Sequence, residues 1–242
     1  MIVYSLTIFL TFSSILHNRN NFLYQVDINN VAENNFLRRI LWTDECTLCS
    51  DGQINRRNEH HYAEENPHCR KETHIQGQFH INVWMGNLDD RVIGPHFFPE
   101  NVTITEQVYS DFLEEILPVL LGDVAAMPNI ISQQDGHPAY TSLLARTVLN
   151  REYQLRWIGI HSPCQEWPPR SPDLTPMDFF LWGYMRDIIY QTLPCDRNDL
   201  IAKIREASQR ITPEMLRNVR GSIMRRIALC AEENGGYFEH LL

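Results

Sequence analysis

Lysine is almost missing from this chain. Of its 21 basic side chains, two are Lys and 19 are Arg, against 30 acids and a net charge of −9 over 242 residues. That balance excludes a uniformly basic nucleic-acid coat, because phosphate binding needs a positive footprint. Any phosphate contact must be local and made by the Arg fork. Cysteine is also sparse: six residues are scattered at 46, 49, 69, 164, 195 and 230. They form no compact disulfide framework, and a domain of this size needs none, so the chain reads as reduced and intracellular. No apolar run is long enough for a membrane span. Residues 2–16, IVYSLTIFLTFSSIL, come nearest. They lack a basic stretch before the run and a small-x-small cleavage site after it. They read as a buried strand or helix, or as a start foreign to the domain; a secreted product is the lesser alternative. There is no internal repeat.

What is present is an ordinary globular balance, 43% hydrophobic and 21% charged, enough for one large domain with or without an appendage. Residues 1–34, ending in an Asn-rich polar stretch, are expected to be a segment and linker outside the core. Residues 35–192 are expected to form the main domain, and 193–242 a helical extension. Charge is uneven. Residues 87–125 hold eight acids and one Arg, whereas 197–226 hold eight Lys or Arg and three acids. Two solvated helix faces of opposite sign would explain this; a DNA-facing tail is the functional alternative.

Periodicity supplies the elements. FLRRILWTDECTLC from Phe36, FHINVWM at 79–85 and RVIGPHFF at 91–98 read as strands, the last two joined by a hairpin-like NLDD. Residues 50–76 lack periodicity and form a long loop. Residues 103–121 read as a helix, with Thr103 and Glu106 as a capping box and Pro118 bending or ending it. Residues 129–134 and 155–160 read as strands, with a helix at 138–150 between them that places Pro138 in its first turn. A Pro-rich loop follows, then a helix opened by Thr175-Pro176, and two amphipathic helices near 198–210 and 213–231. The order predicts an α/β fold: a mixed sheet with flanking helices and a C-terminal helical tail.

Three acids stand where a strand ends or a helix begins: Asp44 in ILWTDE, Asp135 in ISQQDG and Asp178 in RSPDLTPMDFFLW. Carboxylates converging from distant segments are hard oxygen ligands suited to magnesium or manganese. Two such ions about 3.5–4 Å apart can cut a phosphodiester bond. Each acid also has a plainer reading: Asp44 as a strand-end residue, Asp135 as half of an Asp-Gly turn, Asp178 as a helix N-terminal charge. Glu45 should face away from Asp44 across the strand. Asp173 is the rival for the third acid. Cys46-x-x-Cys49, with His60, His61, His68 and Cys69, suits zinc only if a turn separates the two cysteines, since strand positions i and i+3 face opposite sides. Arg56, Arg57, Arg170, Arg217 and Arg220 are candidate DNA contacts. Trp167 and Trp182 have the chemistry to stack on bases, but core packing suits them better.

The segments ILWTDE, NRRN, AEENPH, INVWMG, IGPHFF, QQDGHPAY, RWIG, EWPPRSPDLTPMDFFLWGYMRD and GGYFEHLL together resemble DDE/D transposases of the Tc1/mariner superfamily, insect mariner-like copies above all. The likeness runs from about Phe36 to Leu242. It implies an RNase H-like fold, nuclear cut-and-paste DNA transposition and integration with two Mg2+ or Mn2+ ions, DNA (transposon ends and target) as partner, a homodimer as an allowed assembly, and no membrane partner. It matches Asp44, Asp135 and Asp178 to the catalytic, metal-holding acids, and leaves Asp173 to shape its loop. The 42 residues between Asp135 and Asp178 are on the long side for the family. Paired helix-turn-helix modules that read transposon ends lack a counterpart in this sequence. Tyr62 and Cys69 fall where the family has Trp, His137 where it has a small residue, and Tyr140 where His is common. These departures keep a second reading open: a degenerate or domesticated module that folds, binds or dimerises without chemistry. A nuclease for RNA–DNA hybrids is a third.

Overall fold

Ile40–Cys49, ten residues led by ILW, form the central strand β1 of the fold. The computed structural model describes residues 19, 21, 22, 36–52, 79–100, 102–126, 129–168 and 170–242. A short 3-10 turn, Phe36–Arg39, precedes β1 where sequence periodicity suggested that the strand had already begun. β2 (His80–Leu88) pairs antiparallel with β1, and β3 (Arg91–Phe97) pairs antiparallel with β2. Asp89, at φ 54, makes the tight turn between them, a conformation Asp tolerates because its short side chain can bond locally. β4 (Ile131–Gln133) lies parallel to β1 on its other side, and β5 (Trp157–Ile158) parallel to β4. The sheet order is β3-β2-β1-β4-β5. This is the mixed sheet expected from the element order.

Helices cover both faces. The first helical run is α1 (Glu106–Asp111), a π turn Phe112–Ile116 and α2 (Leu117–Leu121). Its N-cap is Thr105, whose hydroxyl accepts from the Val108 amide, and not Thr103. Residues 102–105 stay outside the helix because Ile104 packs on the apolar layer beneath. Pro118 sits in the first turn of α2, where its missing N–H costs nothing. α3 (Leu143–Tyr153) starts five residues later than Pro138 suggested. Ser142 caps it by accepting from Ala145, and residues 138–142 are turns closed by His137 carbonyl bonds to the Tyr140 and Thr141 amides. α1, α2 and α3 cover one face, with Leu41, Trp84, Tyr109, Phe112 and Trp157 in the layer between.

The other face is covered by a π turn at Met177–Leu181 running into α4 (Trp182–Ile189), and by α5 (Arg197–Gln209) and α6 (Pro213–Glu232). α6 starts as its sequence says, with the Thr212 hydroxyl accepting from Met215 and Pro213 at the first position. Leu200, Ile204, Leu216, Ile223 and Ile227 share one core with Ile40, Trp42 and Val83 of the sheet. The packing therefore does not mark a boundary at 192/193; residues 193–242 complete a layer. The expected linker also enters the core in part. Phe22 is 1% exposed and its ring packs on Trp167 at 4.9 Å. Arg19 pairs with Asp173 at 2.7 Å and donates to Cys230 Sγ at 3.0 Å. Among the described residues no helix is long and apolar enough to cross a membrane.

Candidate active site

Register brings the first two acids together. β1 and β4 are parallel, and their last pair is Trp42 with Gln133. Asp44 and Asp135 each lie two residues beyond that pair, so the chain delivers both to the same level of the sheet. β4 ends there because Asp135 turns the backbone: its Oδ1 accepts from the His137 amide at 2.9 Å. A Cβ at Gly136 would meet Ile160 Cδ1 at 2.7 Å, so the Ile160 side chain packs close over this turn. The third acid comes from the opposite layer. Asp178 lies in the π turn that opens the α4 run, its amide donating to the Thr175 carbonyl at 3.1 Å. Such turns recur at functional sites because they re-aim side chains within a helix.

The three carboxyls act on one another. Asp44 is pushed up to about 8, by burial first and then by the charges of Asp178 and Asp135. Asp178 is raised to about 6 by desolvation and by Asp135, though the residue as a whole is solvent-exposed and so more screened than Asp44. Asp135 is raised by burial, against the opposing bond from the His137 amide. No ion pair among the described residues neutralises any of the three. Carboxylates crowded without a cation favour binding one.

Two of the acids are held by neighbours of their own. The Trp182 indole Nε1–H donates to Asp44 Oδ2 at 2.7 Å, and Asp135 is engaged by its own turn. Correspondingly, among the described residues no three Asp, Glu, His or Cys side chains are grouped closely enough to hold a metal ion. The donor set suits Mg2+ or Mn2+ in chemistry, and the carboxyls must draw together to close around one.

A cavity of about 620 Å³ opens beside Asp44 and Asp135, lined also by Glu45, Asn82, Thr103, His137 and Tyr140. Asp178 stands outside this lining. Glu45 belongs to it, so the cavity reaches both faces of β1. Glu45 does face away from Asp44 along the strand, toward Tyr109, but its Oε1 is buried without a partner and its carboxyl is held well above the usual range by burial, Asp44 and Asp135. The alternation rule alone gave no sign that Glu45 would line the cavity.

The remaining candidates are dispersed. Asp173 is bound by Arg19, which fits a role in shaping its loop and not in the acid cluster. Arg217 pairs with Asp90 at 3.5 Å and Arg220 with Asp89, both at the β2–β3 turn beside the start of β1. The structure thus gives these two expected DNA contacts acidic partners within the chain. Arg170 is exposed in the loop before Asp178. Arg56 and Arg57 lie outside the described residues, as do Tyr62 and the His60, His61, His68 and Cys69 of the zinc alternative. Cys46 and Cys49 are free, and Cys46 Sγ accepts from Arg186 at 3.2 Å. Trp167 is in the core, against Trp42 at 5.9 Å. Trp182 is in the core too, at 4% exposure, yet its polar tip reaches the site.

No protein-family model and no curated protein matches the sequence. Solved structures do match. The Mos1 transposase catalytic domain with Raltegravir and Mg matches with a TM-score of 0.68 at 17% identity, over 93% of this chain and 96% of that one. The catalytic domain of Mos1 mariner transposase alone gives 0.66 at 19%, over 93% and 95%. The chain has the fold of a mariner transposase catalytic domain. A Mos1 paired-end complex with the left transposon end gives 0.68 at 19% identity, over 93% of this chain and 63% of that one. The chain thus spans under two thirds of that longer Mos1 chain. The mariner catalytic fold is RNase H-like, with this mixed five-stranded sheet between helical layers.

Proposed function

We propose that this chain is the catalytic domain of a cut-and-paste DNA transposase of the Tc1/mariner superfamily, working on DNA in the nucleus. Its reaction is phosphodiester cleavage followed by strand transfer, with transposon ends and target DNA as substrates and a homodimer as an allowed assembly. The observation that carries this reading is the placement of Asp44 and Asp135 at one level of parallel strands, with the charge of Asp178 reaching both. Asp44, Asp135 and Asp178 would hold two divalent ions, Mg2+ or Mn2+. Bound there, the ions supply an activated water or DNA 3′-hydroxyl and stabilise the leaving 3′ oxygen. The chain's own part is to place carboxyls that lack an ion pair beside an open cavity and to fix Asp44 and Asp135 in direction. Solved Mos1 catalytic domains with Mg and with Mn support the choice of ion. Arg170, exposed in the loop leading to Asp178, is the candidate phosphate contact that makes no ion pair among the described residues.

Nicking of supercoiled DNA tests the proposal. The purified chain should nick in Mn2+ or Mg2+, and Asp135→Asn should lower the rate about 10³-fold or more, roughly 4 kcal/mol of barrier. A wild-type chain that nicks no DNA at any ion concentration overturns the reading, as does equal activity in Asp135→Asn.

A further inference from the structure

Trp182 is four residues past Asp178, about one helical turn on. The α4 run therefore presents an acid and an indole donor toward β1 together. Of the two, the indole makes the direct contact, Nε1 to Asp44 Oδ2 at 2.7 Å. The ring is 4% exposed and locked among Met177, Leu181 and Met185 in the core, so its N–H has little freedom to point elsewhere. An indole is a donor only, with no acceptor and no titration near neutral pH. It suits a carboxyl that must stay in place without being paired to a cation. The chain's other indoles differ. Among the described residues, Trp157 Nε1 donates to the Asn150 amide oxygen at 2.9 Å, and Trp84 Nε1 is buried with no partner. Among the described residues Trp182 alone donates to an aspartate carboxyl.

We infer that Trp182 is a positioning residue for the ion site: its N–H fixes Asp44 in direction through Oδ2, beside the Glu45 backbone N–H that also donates to this carboxyl. The inference rests on the metal-dependent reading above. Groups that hydrogen-bond a metal-binding side chain typically change metal affinity by 10- to 100-fold when removed. Trp182→Phe keeps the apolar ring and deletes only the donor.

Bound Mn2+ can be counted from the loss of the free-ion electron paramagnetic resonance signal. The concentration for half-saturation should rise about 10-fold in Trp182→Phe, while the metal-free unfolding temperature changes little. A purely structural role would lower that temperature and leave half-saturation unmoved. A second measurement needs no Trp variant and so stands if Trp182→Phe does not fold. In ¹⁵N–¹H spectra of the wild-type chain, one of the five indole N–H peaks should move when Mg2+ is added. The same peak should be displaced in metal-free Asp44→Asn. Equal Mn2+ half-saturation in wild type and Trp182→Phe overturns the role of Trp182 and leaves the metal reading intact. So does the absence of an indole peak that responds to both Mg2+ and Asp44→Asn. A wild-type chain that binds no Mn2+ overturns both.

Discussion

Six aspartates of this chain fall into two groups that are treated in opposite ways. Asp89, Asp90 and Asp173 are each met by arginine: Asp89 by Arg38 and Arg220, Asp90 by Arg217, Asp173 by Arg19. Asp44, Asp135 and Asp178 are brought together with no ion pair, and their carboxyls are pushed upward. With 19 arginines in the chain, a shortage of cations does not explain this. Acids that serve architecture are paired, because an uncompensated buried charge destabilises the fold. Acids left without an ion pair and with their carboxyls pushed upward are candidates for a functional site. The contrast also disposes of the uneven charge in the sequence. The basic stretch at 197–226 is drawn against the acidic β2–β3 turn, Arg217 on Asp90 and Arg220 on Asp89. For those two residues, the sign asymmetry marks a contact inside the molecule.

The sharpest way to break the comparison is to unpair an architectural aspartate. Arg19 and Asp173 have side chains only 9% and 11% exposed. Arg19→Ala leaves Asp173 buried without its cation and removes the stacking of Arg19 over Phe238. The expected loss is about 3–5 kcal/mol, the usual cost of breaking a buried pair from one side. Denaturant unfolding at neutral pH measures it. A loss under about 1 kcal/mol would mean that the 1–34 segment does not anchor the Asp173 loop.

The second prediction concerns the unpaired group and has the opposite sign. Asp44 holds its proton up to about 8 in the fold, against an ordinary carboxylate value of 3.8 in the unfolded chain. Between those limits the folded state binds more protons, so stability falls as pH rises. In chelator, the wild-type unfolding temperature should therefore drop from pH 4 toward pH 8. Asp44→Asn should be the more stable protein at pH 8, by about 2 kcal/mol, with the difference closing toward pH 4. Asn still offers an oxygen to the Trp182 N–H, so packing is conserved. Mg2+ should raise wild-type stability at pH 8 and leave the variant less affected. Wild-type stability that rises over this window would show that the fold does not hold the Asp44 carboxyl above its ordinary range.

Much of this is legible in the sequence. Strand-rich runs such as INVWMG and the capped start of α6 at Thr212-Pro213 follow from local rules that tertiary structure leaves alone. Asp44, expected where a strand ends, instead lies in the middle of β1, because pairing with β2 carries the strand on to Cys49. The failures share one cause: packing overrides a correct local signal. Thr103 and Glu106 satisfy the capping-box pattern, but Ile104 is held on the core, and the cap moves to Thr105. Pro138 suits a first helical turn, but Tyr140 packs on Tyr109 with ring centroids 4.0 Å apart, and the helix waits for Ser142. At the site, Trp182 is legible as core because its neighbours Phe179, Phe180 and Leu181 are apolar. That its N–H would find an acid 138 residues away is a tertiary fact that no window of sequence contains. Glu45 fails for a similar reason. Alternation fixes its face, but the cavity reaches both faces of β1.

The smallest expected effect is the one that sharpens the comparison at the surface. Arg217 has a half-exposed side chain and meets Asp90 at 3.5 Å. An exposed pair contributes only about 0–1 kcal/mol, because solvent screens it and holding two side chains costs entropy. Arg217→Ala should therefore shift stability by no more than about 0.5 kcal/mol. Its effect on DNA is the informative readout. Removing one phosphate-binding cation from an interface reduces the slope of log affinity against log salt by about one. If Arg217 belongs to Asp90, the slope for DNA binding stays as in the wild type, whereas Arg170→Ala, in the loop before Asp178, lowers it. A reduced slope in Arg217→Ala would return the α6 face to the DNA interface. It would also show that the Asp90 pair opens when DNA arrives, so that pairing within the chain would no longer separate architectural charges from functional ones at this surface.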